Sequence, residues 1–291
     1  MAAIGNRGTV TEASGFDPEA DAQKLHQAMK GNGTDEAVIT EILPHRTIAQ
    51  RQHIKEAFKQ AVGKGQFSHQ RSSLHSNGCF GAIIVFVLHN GHVVFVCFIC
   101  VLAEYGKDLE EDVRGGTSGM FQRVLISLVT PGRNESDSVD EAQVVQDAKD
   151  LYDAGEARWG TDEVKFLTVL CVRNQNHLLR VFEEYKKISG RDIEESIKRE
   201  MSGSLADVFL AIVKCVKNKH AFFAERLYES MKGLGLTDTV LNRIMVSRAE
   251  IDMLDIKAQF LNMYGESLPS FIQGDTSGDY RKILLELCGG D

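Results

Sequence analysis

A set of landmarks recurs at fixed offsets along this chain, and that ruler constrains the fold more than any local pattern does. Gly33, Gly160 and Gly235 each stand thirteen residues before an arginine, namely Arg46, Arg173 and Arg248. Seventeen residues further on come Gly63, Gly190 and Gly265, and ten beyond those come Ser73, Glu200 and Asp275. Gly106, ten residues before Gly116, marks a further copy whose front half is missing. A repeat of about 75 residues points to stacked helical modules, because one such unit cannot bury its own apolar face.

The local patterns agree with an all-α chain. Residues 21–30 place Ala22, Leu25, Ala28 and Met29 at helical spacing. A Gly-x-Gly turn stops that helix, and Thr34 or Asp35 is a natural N-cap for the next, over 36–43. Pro44 should end or kink it. A third helix is expected over 48–62, and shorter ones over 109–113 and 121–129. The layout is an arm (1–14), a first repeat (15–65), an atypical apolar insert (66–100) and the C-terminal half of a second repeat (101–132). A polar linker (133–140) follows, then complete third and fourth repeats (141–216 and 217–291), each expected to hold five helices.

The insert differs from everything around it. Residues 57–103 contain no Asp or Glu, and residues 79–103 are almost wholly apolar around His89-Asn90-Gly91-His92. Three readings stay open. A helix over 79–103 would be long enough to cross a bilayer core of about 30 Å. Asn-Gly between β-branched runs is a strong hairpin signal. The third reading, favoured here, is that the stretch is foreign to the fold. Cys79, His89, His92, Cys97 and Cys100 superficially resemble a zinc set, but the apolar setting argues against one.

The loops carry the chemistry. Met29-Lys30-Gly31-Asn32-Gly33-Thr34-Asp35-Glu36 reappears as Met231-Lys232-Gly233-Leu234-Gly235. A disguised copy reads Gly155-Glu156-Ala157-Arg158-Trp159-Gly160-Thr161-Asp162-Glu163. With these loops, Asp275-Thr276-Ser277-Gly278-Asp279-Tyr280 and Val246-Ser247-Arg248, the chain resembles the annexin family over residues 8–65 and 101–291. The resemblance implies four five-helix modules in a slightly curved disc, modules one and two being truncated here. It also implies calcium-dependent binding of acidic phospholipid through loops on the convex face. Residues 66–100 do not match, which is why the insert reads as foreign.

Ca2+ takes about six to eight oxygens from carbonyls, carboxylates and water. A Gly-x-Gly loop offers three carbonyls, and a carboxylate forty residues after its second glycine offers two more oxygens. The fourth module meets this requirement with Met231, Gly233 and Gly235 plus Asp275. Leu236 and Thr237 stand where the family has Thr-Asp, so the following helix should be capped less well. The third module meets it with Gly155, Arg158 and Gly160 plus Glu200. The first has Met29, Gly31 and Gly33 but Ser73 in place of the acid, leaving only a minor site through Thr34 and Glu36. The second has Gly116 at the acid position and no loop. Alone, a Gly-x-Gly turn is usually a helix C-cap, and either acid could be the N-cap of the helix that follows it. Trp159, in a loop, suits insertion at a membrane interface. Lys30, Lys232 and Arg158 would favour anionic headgroups or simply complement helix C-termini.

Net charge excludes other classes. At −8 with a pI near 5.6, the chain has no basic stripe for nucleic acid. Anionic lipid would repel it unless a multivalent cation intervened. No phosphate-binding loop or nucleophile elbow is present, so no catalysis is expected. With no apolar run at the N-terminus, the six cysteines read as reduced thiols in a cytoplasmic protein that is peripheral at membranes when calcium is high. Self-association on membranes stays open, as do two other readings: a helical scaffold for protein partners, and a membrane anchor through 79–103.

Overall fold

The computed structural model describes residues 7–30, 35–62, 108–157, 160–233 and 235–290. Among the described residues the regular structure is helical throughout, without strands. The helices are α1 (Pro18–Ala28), α2 (Glu36–Ile42), α3 (Ile48–Val62), α4 (Leu109–Gly116), α5 (Gly119–Val129), α6 (Glu141–Ala154) and α7 (Glu163–Leu170). They continue as α8 (Gln175–Ser189), α9 (Ile193–Glu200), α10 (Gly203–Met231), α11 (Asp238–Arg248), α12 (Met253–Tyr264), α13 (Leu268–Asp275) and α14 (Gly278–Cys288). A kink at Asn218, with φ −158° and ψ 98°, breaks α10 into two helices. With its two parts counted separately, five helices are described within 141–216 and five within 217–291.

Helix ends differ from expectation where capping decides them. α1 begins at Pro18 because the Asp17 carboxylate accepts from Ala20 N and proline suits the first turn. Pro44 ends α2 by tightening the chain into a 3-10 turn, Leu43–His45. The helices expected over 109–113 and 121–129 run longer, the first capped by Asp108. The inserted stretch and its hairpin, span and zinc-set readings lie outside the described residues.

The ruler now has physical causes. Each arginine binds a carboxylate: Arg46 Nε donates to Asp21 at 2.7 Å, Arg173 Nε to Asp147 at 2.6 Å, and Arg248 Nε to Asp252 at 2.8 Å. Gly190 and Gly265 end α8 and α12 in the left-handed region, at φ 71° and 72°, where a Cβ is penalised. Gly116, Glu200 and Asp275 each close an eight-residue helix.

Asp147 is nearly inaccessible. Burial would raise its carboxyl, but hydrogen bonds from Arg173, His177 and Gln143 outweigh that and hold it below the ordinary value of 3.8. His177 reads from the sequence as a surface or satisfied residue in a helical stretch; it is buried, and its Nε2 lies 2.8 Å from Asp147.

The chain forms two compact units, one from 1–78 with 223–291 and one from 79–222. In the second, Phe166, Leu170, Leu178, Tyr185, Ile197 and Phe209 build a continuous core. In the first, α14 packs on α2, and the arm is tied down by Thr9 Oγ1 donating to Leu287 O at 2.6 Å. Burying a side chain of this size contributes about 1.5–3 kcal/mol. Cys171, Cys215 and Cys288 are buried free thiols, and burial pushes Cys171 up to about 11. No described helix is long and apolar enough to cross a membrane.

Candidate functional site

Three loops close with the same bond. Asp35 N donates to Ala28 O, Asp162 N to Ala154 O, and Thr237 N to Ser230 O, each at 2.8 Å. Each bond folds the chain back from one helix C-terminus to the start of the next. A helix C-terminus leaves carbonyls unpaired, and these three loops retain several. Among the described residues, the carbonyls of Met29, Gly155, Gly160, Met231, Gly233 and Gly235 accept no backbone hydrogen bond. Gly155 is nevertheless buried. One glycine in each complete loop occupies the left-handed region, Gly160 at φ 77° and Gly233 at φ 97°. Gly155, at φ −121°, does not, so special backbone freedom is needed at fewer positions than the glycine pattern suggests.

The third loop lies against the side chain of its acid. A Cβ built on Gly155 would sit 3.6 Å from Cγ of Glu200 and 3.5 Å from the Phe166 ring. Thr161 Oγ1 donates to the Glu200 carbonyl at 2.9 Å. The side chain of Glu156, only 8% exposed, accepts from Arg191 and Ser196 at 2.9 Å each. Arg191 and Ser196 precede and belong to α9, the helix that Glu200 ends. The loop is thus fastened to the acid-bearing helix at two points.

The fourth loop is built differently. Met231 is 1% exposed, whereas Met29 at the same place in the first loop is 47% exposed. Lys232, where Glu156 stands in the third loop, lies over the Tyr228 ring at 5.5 Å. Thr237 caps α11 without a side-chain hydrogen bond, as its sequence suggests, while Asp35 and Asp162 cap theirs through their carboxylates. Neither Gly233 nor Gly235 has a neighbour within 4 Å of a built Cβ. Asp275 is exposed at the end of α13.

Both acids end the preceding helix rather than capping the following one, which corrects the N-cap alternative. A carboxylate at a helix C-terminus faces the negative end of the helix dipole. Among the described residues, neither Glu200 nor Asp275 has a cationic partner. In the third loop, an acid without a cationic partner among the described residues adjoins two helix C-termini and loop carbonyls that accept no backbone hydrogen bond. That donor set fits a hard, oxygen-seeking cation such as Ca2+. No group of three His, Cys, Asp or Glu occurs among the described residues, so backbone carbonyls must provide most of the ligands.

The remaining sequence-predicted positions divide clearly. Gly31, Gly33, Thr34, Arg158 and Trp159 lie outside the described residues, as does Ser73. Lys30 is exposed and Glu36 opens α2. Gly116 ends α4 where an acid would stand. Sequence reasoning missed Glu156 and the anchoring role of Thr161. The signal was an acid where the other two loops carry lysine.

The Annexin family model matches residues 20–65, 146–212 and 222–287. Annexin A4 of Sus scrofa is 53% identical over 322 aligned positions, covering 100% of both chains. That alignment is longer than the 291 residues present here. Among solved structures, annexin III superposes with a TM-score of 0.85 at 40% identity, covering 100% of both chains. Chicken annexin V in complex with Zn2+ gives 0.84 at 44%, covering 98% of this chain and 99% of that one.

Proposed function

The chain belongs to the annexin family, which supports calcium-dependent phospholipid binding in general, and we propose that it docks reversibly on acidic, phosphatidylserine-type membranes through its third and fourth loops. The carbonyls of Gly155, Arg158 and Gly160 with the Glu200 carboxylate would hold one Ca2+. Those of Met231, Gly233 and Gly235 with Asp275 would hold a second. When bound, the cation supplies the positive charge that lets a protein of net charge −8 meet an anionic headgroup, whose oxygen can complete the shell. Trp159 would enter the interface, with Lys30 and Lys232 adding attraction to headgroups. The first loop, with Ser73 in place of the acid, contributes at most a minor site through Met29, Gly31, Gly33, Thr34 and Glu36. The reading involves no catalytic step and places the protein in the cytoplasm, peripheral at membranes when calcium rises.

The same reading takes modules one and two as truncated, with residues 66–100 standing in for the missing helices. An alignment longer than the chain supports it. The observation carrying the functional proposal is the Glu200 side chain packed through its Cγ methylene against Gly155, with no cationic partner for its carboxylate among the described residues. Co-sedimentation with phosphatidylserine vesicles tests it. Binding should require calcium and reverse with chelator. No binding at millimolar calcium overturns it, and calcium-independent retention through carbonate extraction would instead favour an anchor at 79–103.

A further inference from the structure

We propose that Thr161 is a positioning residue that holds the third loop in register with its carboxylate. Leu236 leaves the fourth loop without that tie, so the third loop takes up cation first. This inference rests on the calcium reading above and deepens it. The Thr161 hydroxyl spans 39 residues of sequence to reach the backbone carbonyl of Glu200. That carbonyl belongs to the last residue of α9, where a helix leaves its acceptors unpaired. The bond therefore fixes the end of the acid-bearing helix one residue from the Gly160 carbonyl. Glu156 adds a second anchor, on the same helix through Ser196 and two residues ahead of it through Arg191.

The fourth loop lacks both anchors. Leu236, one residue after Gly235 as Thr161 is after Gly160, has no donor. The Asp275 carbonyl accepts no hydrogen bond among the described residues. Lys232, in the place of Glu156, lies over Tyr228 instead. Two loops with equal ligands thus differ in how much ordering remains to be done on binding. A group already held in place loses less freedom when its ligand arrives.

The test uses Tb3+, which takes the same oxygen ligands, and Trp159, the one tryptophan of the chain, which sensitises Tb3+ bound at the third loop. In full-length protein carrying Asp275→Asn, Thr161→Val should weaken Tb3+ binding by roughly five- to tenfold, the factor for one lost hydrogen bond. Thr161→Ser, which keeps the hydroxyl, should restore it to within about twofold of the parent. In a Glu200→Gln background, Leu236→Thr should strengthen calcium binding at the fourth loop, read by calorimetry, by a comparable factor. This gain does not depend on how well Thr161→Val folds. Equal Tb3+ affinity for Thr161→Val and parent, or no gain from Leu236→Thr, overturns the inference. Absence of saturable binding by the parent protein would instead overturn the calcium reading itself.

Discussion

The third and fourth loops each carry two glycines and an acid forty residues after the second one, yet they relate to their acids in different ways. In the third, Thr161 and Glu156 fasten the loop to α9 and its boundary, and Glu200 lies against Gly155. In the fourth, Met231 is anchored in the core, while the glycines stand clear and Asp275 is exposed. Among the described residues, the third loop is preassembled against its acid-bearing helix, and the fourth is held at its base. The contrast separates two properties that the motif combines: having the ligands, and having them already in place.

The largest expected effect breaks both sites together. Glu200→Gln with Asp275→Asn should abolish calcium-dependent co-sedimentation with phosphatidylserine vesicles, and docking that survives would show the ligands lie elsewhere. Next in size is the glycine contrast. Gly160→Ala forces a Cβ into φ 77° and should destabilise the calcium-free protein by about 1–2 kcal/mol. Gly155→Ala, at a negative φ with contacts no closer than 3.5 Å, should cost less than Gly160→Ala. Equal losses in chemical denaturation would contradict the assignment of strain. The smallest effect is at the cap of the fourth loop. Thr237→Asp should stabilise α11 by about 0.5–1 kcal/mol, seen as a rise in melting temperature without calcium. The equivalent Asp162 already caps its helix, so Asp162→Thr should do the reverse.

The third and fourth repeats also differ in a buried acid. Asp147, in the unit of the third loop, has a carboxyl held below its ordinary value of 3.8. Its contribution is present above that value and is lost as pH falls through the lowered one. At the matching position of the fourth repeat stands Phe223, over which the Arg248 guanidinium lies at 4.7 Å. Asp147→Asn should therefore flatten the acid limb of the stability profile, measured by denaturant titration between pH 5 and about pH 2. An unchanged limb would place the acid sensitivity elsewhere.

Much of the architecture was legible because its signals are short-range or periodic. The cap of α2 at Asp35, the tightening at Pro44 and the weak cap at Thr237 follow from proline geometry and capping chemistry. The spacing of Gly160, Arg173, Gly190 and Glu200 was visible as arithmetic, and its causes are an ion pair, a left-handed helix end and an acid at the end of α9. Less legible were contacts set by tertiary packing. Nothing local says that Thr161 faces the carbonyl of Glu200, or that Glu156 turns inward to Arg191. An N-cap role for Glu200 and Asp275 was plausible from Ser and Gly beyond them, but each helix closes on the acid itself. The glycines likewise overstate the strain, since only one in each complete loop is left-handed.

The central claim is that a loop holds calcium through the acid forty residues beyond its second glycine, and that the preassembled third loop does so more tightly. Calorimetric titration of calcium into the wild type, Glu200→Gln and Asp275→Asn tests it directly. The account predicts that Glu200→Gln removes the tighter phase and Asp275→Asn the weaker one. A tighter phase that persists unchanged in Glu200→Gln would contradict it.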